Sequence, residues 1–128
     1  MKWLKRIFRA QPAPALAEEP ADIGDLVRAG YDCEISGDVP GAEREYRRAL
    51  ERDPAHAQAL YFLGRLAGAD GRREEAIALF QGAVQQIPDE ALYQLALADA
   101  LLESRRFTEA VKAYEACRAL QQECTVIG

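Results

Sequence analysis

The sequence holds few side chains that could do acid-base or nucleophilic chemistry, and their spacing does not combine them. His56 is the single histidine, and in the segment DPAH we expect an exposed loop residue rather than the base of a triad. Glu74 and Glu75 are adjacent, so on a helix they cannot face one substrate. Ser36 and Ser104 are expected near helix ends, where a serine hydroxyl commonly bonds the backbone. Because no phosphate-binding loop of the GxxxxGK type occurs either, we predict no catalytic residues and no enzyme.

The three cysteines, Cys33, Cys117 and Cys124, form no CxxC pair, and with one histidine they offer no zinc-ligand spacing. We therefore expect no metal site and no cofactor. An odd cysteine count without a secretory signal is typical of a reducing compartment, so we expect a cytoplasmic protein. Cys33 and Cys117 are expected to be interior and inert, which leaves Cys124 as the accessible thiol.

Charge separates the first nine residues, MKWLKRIFR, from the rest of the chain. They carry four of the 16 lysines and arginines and none of the 21 aspartates and glutamates, so the remainder carries 12 positive and 21 negative charges. An acidic body disfavours nucleic-acid binding, which needs clustered cations. No apolar run approaches the roughly 18 residues of a spanning helix. We expect a protein that binds no nucleic acid and is soluble or at most peripheral to a membrane.

A repeat of 34 residues predicts the helices that position these side chains. Three segments align with one another without gaps. The units are 23–56, 57–90 and 91–124, followed by a tail at 125–128. Each unit has a small residue, then an alanine, then an aromatic residue at the same places. These residues are Gly30, Gly64 and Ala98; Ala42, Ala76 and Ala110; and Tyr46, Phe80 and Tyr114. Such a period predicts stacked helix-turn-helix units.

This pattern resembles the tetratricopeptide repeat (TPR) family over residues 23–124. The resemblance implies an all-α fold, a right-handed α-solenoid of three helix-turn-helix units. Gly30 and Gly64 are small where the two helices of a unit approach closely. Gly37 and Gly71 fall at the turn, where a positive φ is commonly needed. Arg105 replaces this glycine in the third unit, so we expect a helical or bridging conformation there.

The resemblance also implies a non-catalytic protein-protein interaction scaffold that binds a partner peptide or helix in a concave groove lined by the first helix of each unit. The partner-binding residues that face inward by analogy are Val27, Tyr31, Glu34, Tyr61, Arg65, Asp99 and Leu102. Family members that bind chaperone tails use a carboxylate clamp of lysines, asparagines and an arginine. The matching positions here are Val27, Tyr31, Phe62, Leu92 and Ala96, and the chain contains no asparagine. Chaperone-tail binding in that mode is not expected.

Residues 1–9 form a basic amphipathic segment on a proline- and alanine-rich tether, residues 10–22. At 100° per residue on a helix, one face is apolar and the opposite face is basic. The apolar face has Trp3, Leu4, Ile7 and Phe8, and the basic face has Lys2, Lys5, Arg6 and Arg9. Three interpretations stay open: an anchor on an anionic membrane at the inner face, a latch on the groove of this or another copy, or a solvated tail.

The third unit is less apolar than the first two, which is typical of a terminal repeat. Gln94 stands where Leu26 and Leu60 stand, and Arg118 where Leu50 and Val84 stand. Two alternative functions are therefore considered. The first is a self-assembling structural protein, a homo-oligomer formed through an uncapped third repeat. The second is an accessory subunit of a larger enzyme complex.

Overall fold

The computed structural model describes residues 22–127, and side-chain surroundings for residues 22–122. This part of the chain is all-helical and has no strand. Its helices are α1 Ile23–Ile35, α2 Val39–Arg52, α3 Ala57–Ala69, α4 Arg73–Gln86, α5 Ala91–Glu103 and α6 Phe107–Ile127. The helices pair as α1 with α2, α3 with α4, and α5 with α6, one pair in each predicted unit, and successive pairs stack through α2 on α3 and α4 on α5. The predicted all-α solenoid is confirmed for these residues.

The turn inside each pair has one residue of positive φ. Gly37 has a φ of 87° and Gly71 a φ of 84°, which confirms the prediction for both. Arg105 has a φ of 61°, so the helical or bridging conformation expected there is wrong. The N–H of Arg106 donates to the carbonyl of Leu101 at 2.9 Å, closing the same terminal bond that follows Gly37 and Gly71. That bond requires a left-handed residue whatever its type.

The connections between pairs end one helix and begin the next. Helices α2 and α4 end two residues before Pro54 and Pro88, because the residue before a proline is disfavoured in a helix. His56 precedes α3, and its Nδ1 accepts a hydrogen bond from the N–H of Ala59 at 3.2 Å. His56 is half-buried rather than exposed as expected, since this helix cap holds its ring against the first turn.

Close approach of the two helices in a pair depends on glycine. A Cβ built on Gly64 would lie 2.7 Å from Cε1 of Phe80, and one on Gly30 would also meet the ring of Tyr46. The rings of Tyr46 and Phe80 are buried as a result. The third pair has Ala98 at this place, and its aromatic residue, Tyr114, is half-buried. The predicted close approach is confirmed for the first two units.

Ion pairs join the first unit to the second. Glu43 of α2 accepts hydrogen bonds from Arg47 at 2.8 Å and from Arg72 at 3.2 Å. Glu75 of α4 binds the same two arginines, at 3.0 Å from Arg47 and 2.9 Å from Arg72. The hydrogen bonds from Arg47 and then Arg72 hold the pKa of Glu43 below its usual value. This network links α2 to α4.

Candidate functional site

The first helices of the three units, α1, α3 and α5, line one continuous groove. One opening lies between α1 and α3 and reaches from Gly24 to Leu92. A second opening, with a volume of about 360 Å³, lies between α3 and α5 and reaches Glu103. Tyr61, Arg65 and Leu92 line both openings. A segment of a partner could therefore follow the groove across all three units.

Aromatic rings form a connected wall beneath this groove. Phe62 stacks on Tyr46 with ring centroids 5.4 Å apart and planes at 12°, and it also meets Tyr31 at 5.8 Å. Tyr61 meets Phe62 at 5.4 Å and Phe80 at 6.0 Å. Rings at these separations attract one another beyond the area that they bury, by roughly 0.5–1.5 kcal/mol a pair. The rings therefore help to hold α1, α2, α3 and α4 together.

Arg65 lies at the centre of the groove and is held in place from below. Its guanidinium carbon is 5.8 Å from the centroid of Tyr61 and 5.5 Å from that of Phe62, within cation–π range. Its Nη2 lies 3.5 Å from a carboxylate oxygen of Glu34, whose other oxygen accepts from the hydroxyl of Tyr46 at 2.8 Å. Burial and then this bond raise the pKa of Tyr46. Arg65 remains exposed on its groove side.

The opening between α3 and α5 exists because two side chains of the earlier junction are missing there. Phe62 packs on Tyr46 at the first junction, and 34 residues later Ala96 faces Phe80. Glu34 bonds Tyr46, and 34 residues later stands Gly68. The ring of Phe80 borders this mostly apolar cavity but is only 5% exposed, because Tyr61 also packs against it.

Both charged and apolar side chains border this cavity. Leu92 and Leu95 are exposed beside it, and Asp99 and Glu103 lie on its α5 side. The carboxylate of Asp99 accepts from the hydroxyl of Tyr114, and this bond raises the pKa of Tyr114 to about 12. The cavity can thus take an apolar group while its rim binds polar atoms.

The structure brings most of the predicted groove residues together. Tyr31, Tyr61 and Arg65 line the groove, Glu34 lies behind Arg65, and Asp99 is on the rim. The identity of the residues that contact a partner stays a prediction.

Two of the predicted contacts need correction. Val27 borders the first opening but is only 4% exposed, because it packs in the core with α2 and α3 and presents little surface to a partner. Leu102 is exposed but lines neither opening, although Asp99 and Glu103 on either side of it in α5 border the second one.

Gly68 was missed in the sequence, and Ala96 was named only as a position that matches the carboxylate clamp. In the aligned units, Gly68 stands where Glu34 stands and Ala96 where Phe62 stands. This difference gains meaning only once the contacts of Glu34 and Phe62 with Tyr46 are known. The basic amphipathic segment 1–9, nearly all of the tether, and the side chain of Cys124 lie outside the described residues.

The residues singled out for chemistry have structural roles. Ser36 donates to the carbonyl of Cys33 at 3.0 Å, which confirms its prediction. The hydroxyl of Ser104 is buried and has no hydrogen-bond partner, so the predicted bond to the backbone is wrong. Ser104 directly precedes the left-handed residue Arg105. Glu74 pairs with Arg106 at 3.3 Å. Within residues 22–127, no cluster of metal-binding side chains occurs and no helix is long and apolar enough to cross a membrane.

Comparison with known proteins places this geometry in a family. Models described as tetratricopeptide repeat match residues 36–91 and 69–125. Cellulose synthase operon protein C of Pseudomonas fluorescens (strain SBW25) is 32% identical over 112 residues, which are 84% of this chain and 9% of that protein.

Solved structures share the fold. An O-GlcNAc transferase mutant of Thermobaculum terrenum has a TM-score of 0.73 at 30% identity, over 78% of this chain and 19% of that one. A crystal structure of MamA has a TM-score of 0.76 at 17% identity, over 81% of this chain and 61% of that one. The chain spans less than two thirds of each of these relatives, and the likeness to MamA shows the fold alone.

The two family models together cover residues 36–125, and the six described helices form the stacked pairs of a TPR solenoid. Proteins with such repeats bind other proteins, and the fold is generally non-catalytic. This chain therefore belongs to the tetratricopeptide repeat family and has the architecture of a protein-interaction scaffold.

Proposed function

We propose that this chain is a non-catalytic scaffold that binds a peptide or helix of a partner protein in the groove of α1, α3 and α5. The observation that carries the proposal is the open cavity over Phe80 beside the fixed guanidinium of Arg65. An apolar cavity with a few convergent polar groups is the usual form of a binding site. The groove is also preformed, which lowers the entropic cost of binding.

The two parts of the site suit different groups of a ligand. An apolar side chain would enter the cavity and cover Leu92 and Leu95, which are exposed without it. The free N–H groups of Arg65 would donate to a carboxylate or a backbone carbonyl, because its stacked guanidinium already points into the groove. The exposed ring of Tyr31 would add contact area at low conformational cost.

Peptide selection followed by binding measurements tests this site. Peptides selected from a random library on the full chain would be titrated by calorimetry against the wild type, Tyr31→Ala and Arg65→Ala. We expect each variant to weaken binding by roughly tenfold, as for residues central to an interface. Gln81→Ala, exposed on α4, is the control and should bind like the wild type. Equal affinities for all four proteins would rule out the groove.

We also propose that the scaffold works in the cytoplasm and attaches peripherally to the inner membrane face through residues 1–9. Their basic and apolar side chains support this, since such segments bind anionic lipid surfaces. Co-flotation with vesicles at low salt tests it. Full-length protein should float with anionic vesicles and stay behind with neutral ones, whereas Trp3→Glu should not float. Failure to float with anionic vesicles would end the membrane proposal.

A second candidate function is self-assembly through the third unit. Val111 of α6 is 53% exposed, whereas Ile77, at the same place in the second unit, is 2% exposed because α5 covers it. Phe107 is exposed on the same helix. In sedimentation over a concentration series, assembly predicts a mass that rises with concentration and returns to monomer in Val111→Glu. A concentration-independent monomer rules assembly out.

A third candidate is an accessory unit of a larger enzyme complex. It is supported by the likeness to part of an O-GlcNAc transferase and part of cellulose synthase operon protein C. Such a role would use the same groove, so Arg65→Ala would lower the activity of the complex by weakening its assembly. Loss of activity with assembly unchanged would instead contradict a purely accessory role.

A further inference from the structure

The charged side chains that line the opening between α3 and α5 divide by helix. Arg65 of α3 and Arg73 at the start of α4 lie on one side, and Asp99 and Glu103 of α5 lie on the other. Between these charges the lining is mostly apolar. The opening is therefore an apolar cavity with cations along one side and anions along the other.

Two of these charges, one on each side, are held in place by other side chains. The guanidinium carbon of Arg65 lies 5.5 Å from the ring centroid of Phe62, and the guanidinium pairs with Glu34 behind it. The carboxylate of Asp99 accepts a hydrogen bond from the hydroxyl of Tyr114. Arg65 and Asp99 stand at the same place in successive units, 34 residues apart. A cation and an anion are thus positioned in advance on neighbouring helices, which lowers the entropic cost of binding a ligand to both.

The opposite charges of the two sides do not neutralise each other by direct contact. Within residues 22–122, no ion pair joins Arg65 or Arg73 to Asp99 or Glu103. Arg73 and Glu103 are both exposed and have no ion-pair partner in this part of the chain. Glu34 offsets part of the charge of Arg65 only. The α3–α4 side therefore keeps a net positive charge, and the α5 side keeps a net negative charge.

The distance between the two sides suits a short extended peptide. Helices α3 and α5 are in contact, and packed helix axes lie about 8–10 Å apart. In an extended segment, alternate side chains point to one face and lie about 7 Å apart. An acidic residue, an apolar residue two positions along and a basic residue four positions along would therefore face Arg65, the cavity and Asp99 in turn. The cavity of about 360 Å³ has room for the apolar side chain, since about 150 Å³ already holds a benzene ring.

We infer that the groove selects partner segments in which an apolar residue stands between an acidic and a basic residue. Arg65 and Arg73 bind the acidic residue, Asp99 and Glu103 bind the basic residue, and the apolar side chain enters the cavity. A uniformly acidic segment is repelled on the α5 side and a uniformly basic one on the α3–α4 side, so segments of a single charge are rejected. This selection rests on the proposed function of the groove and specifies the class of peptide that it takes.

Peptide selection followed by a charge swap tests this order. Peptides selected from a random library on the full chain should carry an acidic and a basic residue on opposite sides of an apolar one. The tightest of them would be compared by calorimetry with a derivative in which its basic residue is replaced by glutamate. We expect the wild type to bind the derivative roughly fivefold more weakly, the upper range for an exposed ion pair.

Variants of the α5 side should change this preference in a defined way. Glu103→Lys should abolish it, and the double variant Asp99→Asn and Glu103→Lys should reverse it, because the α5 side is then positive. Asparagine keeps an oxygen that accepts from Tyr114, and both positions are exposed, so the fold should be retained. Glu115→Lys makes the same charge change on α6, outside both openings, and is the matched control. It should keep the roughly fivefold preference of the wild type.

The wild-type preference should also shrink as salt is added, a measurement that needs no variant. Selected peptides without paired opposite charges would overturn the charge selection. So would a preference that survives the double variant or that Glu115→Lys also removes. If those peptides still bind more weakly to Tyr31→Ala and Arg65→Ala, the groove remains the binding site. Peptides that bind these two variants like the wild type would overturn the groove itself, and the charge selection with it.

Discussion

Gly64 of α3 lies so close to Phe80 of α4 that a Cβ on Gly64 would lie 2.7 Å from Cε1 of the ring. Because the ring is buried and cannot move far, we expect Gly64→Ala to lower the free energy of unfolding by about 1–3 kcal/mol, as overpacking does. Gly68→Ala, on the same helix, would place its Cβ 3.8 Å from Ala76, an ordinary contact. That control should raise the stability by about 0.5–1 kcal/mol through helix propensity. Urea unfolding followed by circular dichroism measures both, and equal effects would contradict the close approach.

Phe62 should contribute more to the free energy of unfolding than its partial exposure suggests. It stacks on Tyr46 and meets Tyr31 and Tyr61, so Phe62→Ala should open at the first junction a cavity like the one over Phe80. We expect a loss of about 2–4 kcal/mol in urea unfolding, within the range for large-to-small core changes. Leu95→Ala, at a site that is exposed in the groove, should cost far less. A similar cost for both changes would mean that the ring contacts of Phe62 do not stabilise the first junction.

The left-handed conformation of Arg105, with a φ of 61°, is unfavourable for a residue with a side chain. A left-handed residue other than glycine costs about 1–2 kcal/mol, so we expect Arg105→Gly to raise the free energy of unfolding by roughly 1 kcal/mol. The reverse change at the second turn, Gly71→Arg, should lower it by a similar amount, since Gly71 has a φ of 84° and open space around it. Thermal and urea unfolding of both variants would check this symmetry. A loss of stability in Arg105→Gly would show that its side chain has a role that the turn does not explain.

The contribution of Glu43 to stability should depend on pH. The bonds from Arg47 and Arg72 lower the pKa of Glu43 from a usual value of 4.5. A lowered pKa means that this contribution is present above about pH 4.5 and is lost as the pH falls through the folded-state pKa. Glu43→Gln should therefore cost most near neutral pH, by about 1 kcal/mol or less because the pair is partly exposed. Below pH 4.5 the cost should shrink.

Urea unfolding of the wild type and Glu43→Gln over a pH series measures this dependence. Arg72→Gln supplies the matched background, in which the cost of Glu43→Gln should be smaller at neutral pH because one donor is gone. A cost that stays constant across the series would contradict the role of these arginines.

Much of the fold could be predicted from the sequence because its determinants are local and occur three times. The small residues Gly30 and Gly64 meet Tyr46 and Phe80 of their own unit, and Gly37 and Gly71 occupy their own turns. A contact that spans about 16 residues and recurs every 34 leaves a pattern that needs no coordinates. The architecture of a protein-interaction scaffold was implied by the same pattern, through the family that it resembles.

The details of the groove could not be predicted because they depend on residues from different units. Val27 faces the groove by analogy, yet packing from α2 and α3 buries it. Arg65 could be placed on the groove, but its position over Tyr61 and Phe62 and its pairing with Glu34 depend on how the first unit stacks on the second.

The sequence by itself determined six helices in three pairs, two of the three turns, and the separation of a basic segment from an acidic solenoid. These follow from periodicity, from glycine at positive φ, and from charge, all of which are properties of neighbouring residues. Only the tertiary structure decided the left-handed turn at Arg105 and the open cavity over Phe80. The hydrogen bond from Arg106 to Leu101 at the end of α5 sets the conformation of Arg105. The cavity between α3 and α5 depends on the sizes of all the side chains that meet there, and these come from different units.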